Sequence, residues 1–271
     1  MTLGRAHGGR AASDRVDRME LKKDRVPFLD VDVTALRVDE LLEVLGGFLA
    51  DGSTRLIVGH NLHSITLLHS RPDFRALYER GDVILPDGAP VAMLWGKAHG
   101  RPTRRAAMDY RLGSTDWLPE LGRLRGLERI AVVGAGAEAN AKAVDRLRRV
   151  VPGAEVAGRP GEAWDEAKEN AAVAWLGEFR PQLVLFGLGM PLQESVLLRR
   201  LDELPPAVYA AVGGAIEQLG GVQKLAPRWL GRLGLEWAWR LLLHPGRVAY
   251  RVFGEPWVLL GLLLRKRLVR R

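Results

Sequence analysis

Along most of this chain, short apolar runs alternate with longer stretches in which apolar positions recur every three or four residues. Leu183-Val184-Leu185-Phe186 is apolar throughout, as a strand covered on both faces must be. Arg55–Val58, Asp82–Leu85, Arg129–Val133 and Ala207–Val212 have a similar texture, and Phe28–Val33 alternates like a half-buried strand. Helical periodicity runs over Val38–Leu49, from about Leu62 to Ser70, and over Pro72–Arg80, Glu138–Val150 and Glu162–Phe179, the last with Trp164 and Trp175 on its apolar stripe. A strand, a glycine loop and a helix recur at 83–95, 130–148, 183–200 and 208–219. That alternation predicts an α/β fold with a mostly parallel, doubly wound sheet.

The two ends depart from this pattern. Residues 1–26 are rich in Arg, Gly and Asp without periodicity, carry 7 basic and 4 acidic residues, and are expected to form a disordered basic leader. Residues 27–224, the expected main domain, carry 23 basic and 26 acidic residues. Residues 225–271 carry 10 basic and 2 acidic residues among leucine runs and Trp229, Trp237, Trp239 and Trp257. Cationic and apolar content together predict a helical appendage that lies on an anionic membrane surface. Nucleic acid is not the expected partner, because no recognisable nucleic-acid module accompanies the basic tail. The absence of cysteine excludes disulfides, thiolate metal sites and a cysteine nucleophile. The N-terminus lacks the apolar core of a signal peptide, and the longest late apolar run, Trp257–Leu264, has 8 residues against the ~20 of a spanning helix. A cytoplasmic, peripherally membrane-associated protein is expected.

Candidate chemistry collects at the predicted strand ends. Around Leu183–Leu198, Gly187 and Gly189 permit a tight turn and Pro191 suits a first helical position. Such a turn aims backbone N–H groups at a ligand above the sheet, and Gln193-Glu194 open the helix there. Asp87 stands at the tip of the 82–85 strand, on the edge where open α/β sheets bind ligands. Asn61 is a helix cap or a ligand contact, and Arg111 and Asp116 either pair or touch a ligand. Gly134-x-Gly136-x-x-Ala139, with Glu155 placed for a ribose hydroxyl, meets a loose dinucleotide fingerprint and keeps an NAD-dependent oxidoreductase as an alternative. A non-catalytic membrane- or nucleic-acid-binding adaptor is a third reading. Asp30-Val31-Asp32 has the form of a nucleotide-sugar-transferase metal motif but reads as polar residues on a strand face. His60 and His63 lack a third ligand of suitable spacing, so no metal site is expected.

Taken together, GLGMPLQE, AVGGAIEQLGG, KLAPRWLGRLGLEWAWRLLLHPGR, Asn61, Pro86-Asp87-Gly88 and the Arg111…Asp116 spacing resemble the WecG/TagA/CpsF family, glycosyltransferase family 26, from about Phe28 to Leu264. The resemblance implies a Rossmann-like domain whose C-terminal appendage meets the inner face of the cell membrane. It implies inverting, metal-independent transfer of an N-acetylhexosamine, such as N-acetylmannosamine, from a UDP-sugar to a polyprenyl-diphosphate-linked acceptor, with the UDP-sugar as co-substrate and no cofactor. By the same carry-over, Asp87 is the general base, Gln193 lies near sugar and diphosphate, and Glu217 stands where the family usually has a nucleotide-contacting aspartate. Arg240, Arg247 and Arg251 fall where family arginines steady the leaving diphosphate, and Asn61, Arg111, Asp116, Gly136, Gly189, Gly213 and Gly214 complete the expected binding set. Gly59, Pro90, Leu192 and Leu225 depart from the family pattern and bear on the choice of donor sugar. Folds with exposed apolar edges often self-associate, which makes a homo-oligomer a further expectation.

Overall fold

The computed structural model describes residues 21–223, 230, 236–243, 246 and 249–269. The leader up to residue 20, Leu225, Trp229 and Arg247 lie outside the described residues. A short antiparallel pair, β1 (Asp24–Val26) and β2 (Val31–Val33), comes first. It corrects two expectations. Strand β1 lies inside the stretch read as leader, where Trp95 Nε1 donates to Asp24 Oδ2 at 3.0 Å. Residues 27–30 are a turn rather than strand, since the N–H groups of Leu29 and Asp30 both donate to the Val26 carbonyl and Asp30 takes φ 54°. Asp30 and Asp32 pair with Arg25, and Asp30 also with Lys266.

Six parallel strands follow: β3 (Arg55–Gly59), β4 (Val83–Leu85), β5 (Arg129–Gly134), β6 (Glu155–Arg159), β7 (Leu183–Gly187) and β8 (Val208–Ala211). Their order across the sheet is β4-β3-β8-β7-β5-β6, with Ile57 opposite Ala210, Leu185 opposite Ala210, and Val132 opposite Leu185. The apolar runs have the burial their composition demands. In β7, Leu183 and Leu185 enter one core cluster while Val184 and Phe186 enter the cluster on the opposite face. Each such side chain contributes about 1.5–3 kcal/mol by leaving water.

The helices divide between the faces. On the first lie α1 (Val38–Asp51), α6 (Ser114–Trp117), α7 (Ala137–Val150) and α10 (Ala215–Leu219). The second carries α2 (Leu62–Ser70), α3 (Pro72–Glu79), α4 (Ala89–Ala98) with the short α5 (Arg104–Met108) packed on it, α8 (Glu166–Phe179) and α9 (Leu192–Arg200). Helix α8 begins later than its periodicity suggests. Ala163 takes φ 44° and the Asp165 side chain caps the helix by accepting from Lys168 N at 2.8 Å, so Trp164 precedes the helix. Pro191 likewise stands one residue before α9, after a cis Met190–Pro191 bond.

Two α-helices of the C-terminal segment are described, α11 (Glu236–Leu243) and α12 (Glu255–Val269). Helix α12 packs on α2, burying Leu259 and Leu263, while His63 pairs with Glu255 and Lys266 with Asp30. Its other face leaves Trp257 72%, Leu264 50% and Leu268 72% exposed beside Arg265 and Arg267, a surface that water alone does not reward. Among the described residues no helix is long and apolar enough to cross a membrane.

Candidate active site

Strands β3 and β8 are neighbours, yet the chain leaves β3 for α2 on one face and leaves β8 for α10 on the other. Parallel strands whose exits diverge leave a crevice at their C-terminal ends. A cavity of about 130 Å³ opens there, lined by Asn61, Asp87, Ser114, Gln193, Gly213 and Gly214 among others.

Asp87 sits at the crevice just past β4, half-buried. Its carboxylate lies so close to the backbone of Gly113 that a Cβ on that glycine would come 2.3 Å from Oδ1. Asn61 caps α2 through its side-chain oxygen, which accepts from Ser64 N at 3.0 Å, and turns its amide nitrogen toward Asp87 Oδ2 at 3.4 Å. Arg111 and Asp116 pair with each other, Nη2 donating to both carboxylate oxygens at 3.1 and 3.0 Å. Asp116 also accepts from Gly113 N at 2.8 Å, and Arg111 Nη1 reaches the Asp87 carbonyl at 3.5 Å. This pair shapes the loop that presses Gly113 against the Asp87 carboxylate.

Gln193 and Glu194 form the opposite wall. Gln193 accepts from Gly213 N at 3.1 Å and donates through Nε2 to Glu194 Oε1 at 2.8 Å, so its amide is held from both ends. Gly213 takes φ +51°, which lets its N–H face Gln193. Burial pushes the Glu194 carboxyl up to about 7. Beneath it, Tyr78 donates to the Gly59 carbonyl at 2.8 Å and stacks on the His60 ring with centroids 4.5 Å apart. Burial drives His60 down to about 3, so it is neutral near pH 7. His60 bonds to Ser64 Oγ and His63 to Glu255, so the two imidazoles serve different neighbours.

The loop after β5 is closed by the chain itself, which corrects the dinucleotide reading. A Cβ on Gly136 would meet Glu162 Oε1 at 2.8 Å, and that carboxylate accepts from Ala137 N at 2.9 Å, the position a phosphate would take. Gly161 packs on Gly134 from above, and Ala135 N donates to the Gly187 carbonyl at 3.0 Å. Glu155 is the register partner of Arg129 at the start of the strands, the opposite edge from any ligand. Gly136 is therefore not brought to the cavity. Gly189, at φ +78°, shapes the turn after β7 without lining it.

The model of the glycosyl transferase WecG/TagA/CpsF family matches residues 26–271. The chain belongs to this family. A WecG/TagA/CpsF relative from Bacillus spizizenii (strain W23), an N-acetylglucosaminyldiphosphoundecaprenol N-acetyl-beta-D-mannosaminyltransferase, is 31% identical over 176 residues, 65% of this chain and 66% of its own length. That match spans just under two thirds of the relative. The enzyme of the same name from Staphylococcus aureus (strain MRSA252) is 24% identical over 228 residues, 83% of this chain and 87% of its own.

The remaining residues implied by the WecG/TagA/CpsF resemblance are spread more widely. Glu217 lies on α10 behind Gly214, with a buried Oε2 that has no hydrogen-bond partner. Arg240 belongs to the 236–243 helix, and Arg251 is exposed in a wide turn over 250–254 and does not line the cavity. Sequence reasoning left out Trp117, Gln218, Gln223 and Tyr78, which line the cavity, and placed Glu194 beside Gln193 at the ligand end of the helix without a specific role. The available signal for Glu194 was a carboxylate on the face of α9 that also carries Val196 and Leu197 inward.

Proposed function

We propose that this protein transfers an N-acetylmannosamine-type sugar from a UDP-sugar to a polyprenyl-diphosphate-linked N-acetylglucosamine acceptor, in the synthesis of a cell-surface glycan. The observation that carries the reading is the half-buried Asp87 carboxylate at the mouth of a crevice walled by amides, in a chain of this family. Asp87 accepts the proton of the acceptor hydroxyl as that oxygen attacks the anomeric carbon, and the bond to the diphosphate breaks on the far side. One carboxylate base with direct displacement inverts the anomeric centre. Asn61 and the Gly113 loop, braced by Arg111 and Asp116, hold Asp87 in place.

Leaving-group charge is met by guanidinium groups rather than by a metal, with Arg240, Arg247 and Arg251 as the candidates. The exposed Trp257, Leu264 and Leu268 face of α12, beside Arg265 and Arg267, supports peripheral attachment to the inner face of the membrane, where the lipid-linked acceptor resides. A homo-oligomer is compatible with the same exposed surface. No cofactor enters this scheme, because the UDP-sugar is a co-substrate. The experiment is Asp87→Asn assayed with UDP-N-acetylmannosamine and a short-chain prenyl-diphosphate N-acetylglucosamine. Transfer is lost while UDP binding persists, and transfer at the wild-type rate would remove Asp87 as the base.

A further inference from the structure

Two buried polar atoms at the cavity have no partner. Glu194 and Trp117 are 2% and 1% exposed and both line the cavity. Glu194 Oε2 and Trp117 Nε1 make no hydrogen bond. Leaving such groups unsatisfied forfeits the hydrogen bonds they made to water, so a buried pair beside one cavity points to something that completes them. The other polar side chains around the space are the amides of Asn61, Gln193, Gln218 and Gln223, the hydroxyls of Tyr78, Ser114 and Thr115, and the Asp87 carboxylate. Uncharged donors and acceptors beside one carboxylate suit a sugar ring and its acetamido group better than a phosphate, which the Asp87 carboxylate would repel.

We propose that Glu194 is a substrate-contacting, specificity-determining residue: as a neutral acid it donates through Oε2 to an acceptor oxygen on the donor's sugar, while Oε1 fixes the Gln193 amide. This rests on the donor reading above. Gln193 Nε2 already donates to Oε1, so the proton sits on Oε2, the oxygen without a partner. Burial favours that neutral form up to about pH 7. The ionisable groups around it are Tyr78, on the helix packed against α9, Asp87 after β4, and His60 behind Tyr78. Tyr78 is pushed well above its ordinary value by burial and by the Glu194 and Asp87 carboxyls, so it stays neutral, as does His60 above pH 5. Of Glu194, Tyr78 and His60, Glu194 is the one whose proton leaves near neutrality. Its loss replaces a donor by a charge facing the sugar.

The test is calorimetric binding of UDP, UDP-N-acetylglucosamine and UDP-N-acetylmannosamine to the full chain, wild type, Glu194→Gln and Glu194→Ala, at pH 6 and pH 8. Glu194→Ala is expected to weaken the UDP-sugars roughly five- to tenfold and UDP less than about twofold, the loss of one neutral hydrogen bond. Glu194→Gln, of similar size and still a donor, is expected to recover most of that affinity. It should also flatten the weakening between pH 6 and pH 8 that the wild type shows. Equal loss for UDP and UDP-sugars, or no loss, overturns the assignment and leaves a buried water as the group that satisfies Oε2. A wild-type protein that binds none of the three nucleotides overturns the donor reading itself, and the Glu194 assignment with it.

Discussion

Strands β5 and β7 lie side by side and each ends in a glycine turn, yet the two turns do different things. Above β5 the space is filled by Gly161, Leu188 and the Glu162 carboxylate, so the start of α7 is already capped from within the chain. Above β7 and β8 the chain moves away to opposite faces, and the backbone and amide groups at Gly213 and Gln193 open onto a cavity. A glycine signature thus states only that two backbones come close. Whether a ligand or another part of the chain occupies the space depends on where the next segments lead.

The largest effect that sharpens this contrast belongs to the open crevice. Asp87→Asn should lower the transfer rate by roughly 10²–10⁴-fold, the usual contribution of a positioned base, with UDP affinity within about threefold. Steady-state rates and calorimetry decide it.

Glycine substitutions come next. Gly134 takes φ +123° and a Cβ there would stand 2.3 Å from the Gly187 carbonyl oxygen, whereas at Gly213, φ +51°, the nearest atoms are those of Gln193 at 3.9 Å. Gly134→Ala should therefore destabilise the fold by roughly 2–4 kcal/mol and Gly213→Ala by only about 1–2 kcal/mol of backbone strain. Equal denaturation midpoints for the two variants would contradict the closed-versus-open distinction.

Glu194→Gln probes the same wall through pH. The folded protein holds the Glu194 proton to about pH 7, and the unfolded chain only to about 4.5. Below pH 4.5 both states are protonated and the wild type carries no penalty. As pH rises through 7 the unfolded state ionises first, so the wild type should lose about 3 kcal/mol relative to Glu194→Gln, and the gap should then stay constant. Urea titrations of both proteins at pH 5 and pH 8 measure it.

The smallest effect falls on the closed turn. Glu162→Ala should cost about 1 kcal/mol through the lost cap on Ala137 N–H and leave transfer unchanged. Specific binding of NAD by the wild type would break the comparison.

Much of this was legible in the residues. Five of the six strands of the parallel sheet announced themselves through apolar runs, because strands buried on both faces have no polar side to disguise them, whereas the edge strand β6 is only partly buried. Asp87 and Gln193 were found through the strand-end rule and the family resemblance, and the cavity has both in its lining. Local chemistry misled wherever a tertiary contact took precedence. Phe28 lies in a turn under the Arg267 guanidinium, 5.5 Å from its ring, although its alternation reads as strand. The periodicity of 162–179 hid the Asp165 cap, and nothing near Gly136 in the sequence announces that Glu162 folds back onto it. The Arg111–Asp116 alternatives could be separated only by geometry, which pairs them with each other.

The pairing of β3 with β8 also sets when the site can exist. Arg55 and Val208 are register partners although roughly 150 residues separate them, so this contact closes a very large loop and should form late in folding. A nascent chain that has not yet extruded β8 holds Asp87 and Asn61 but presents β3 with a bare edge, open to pairing with any other strand. The crevice is the last seam of the sheet to be sewn, and the chain can carry its base long before it has a place to use it.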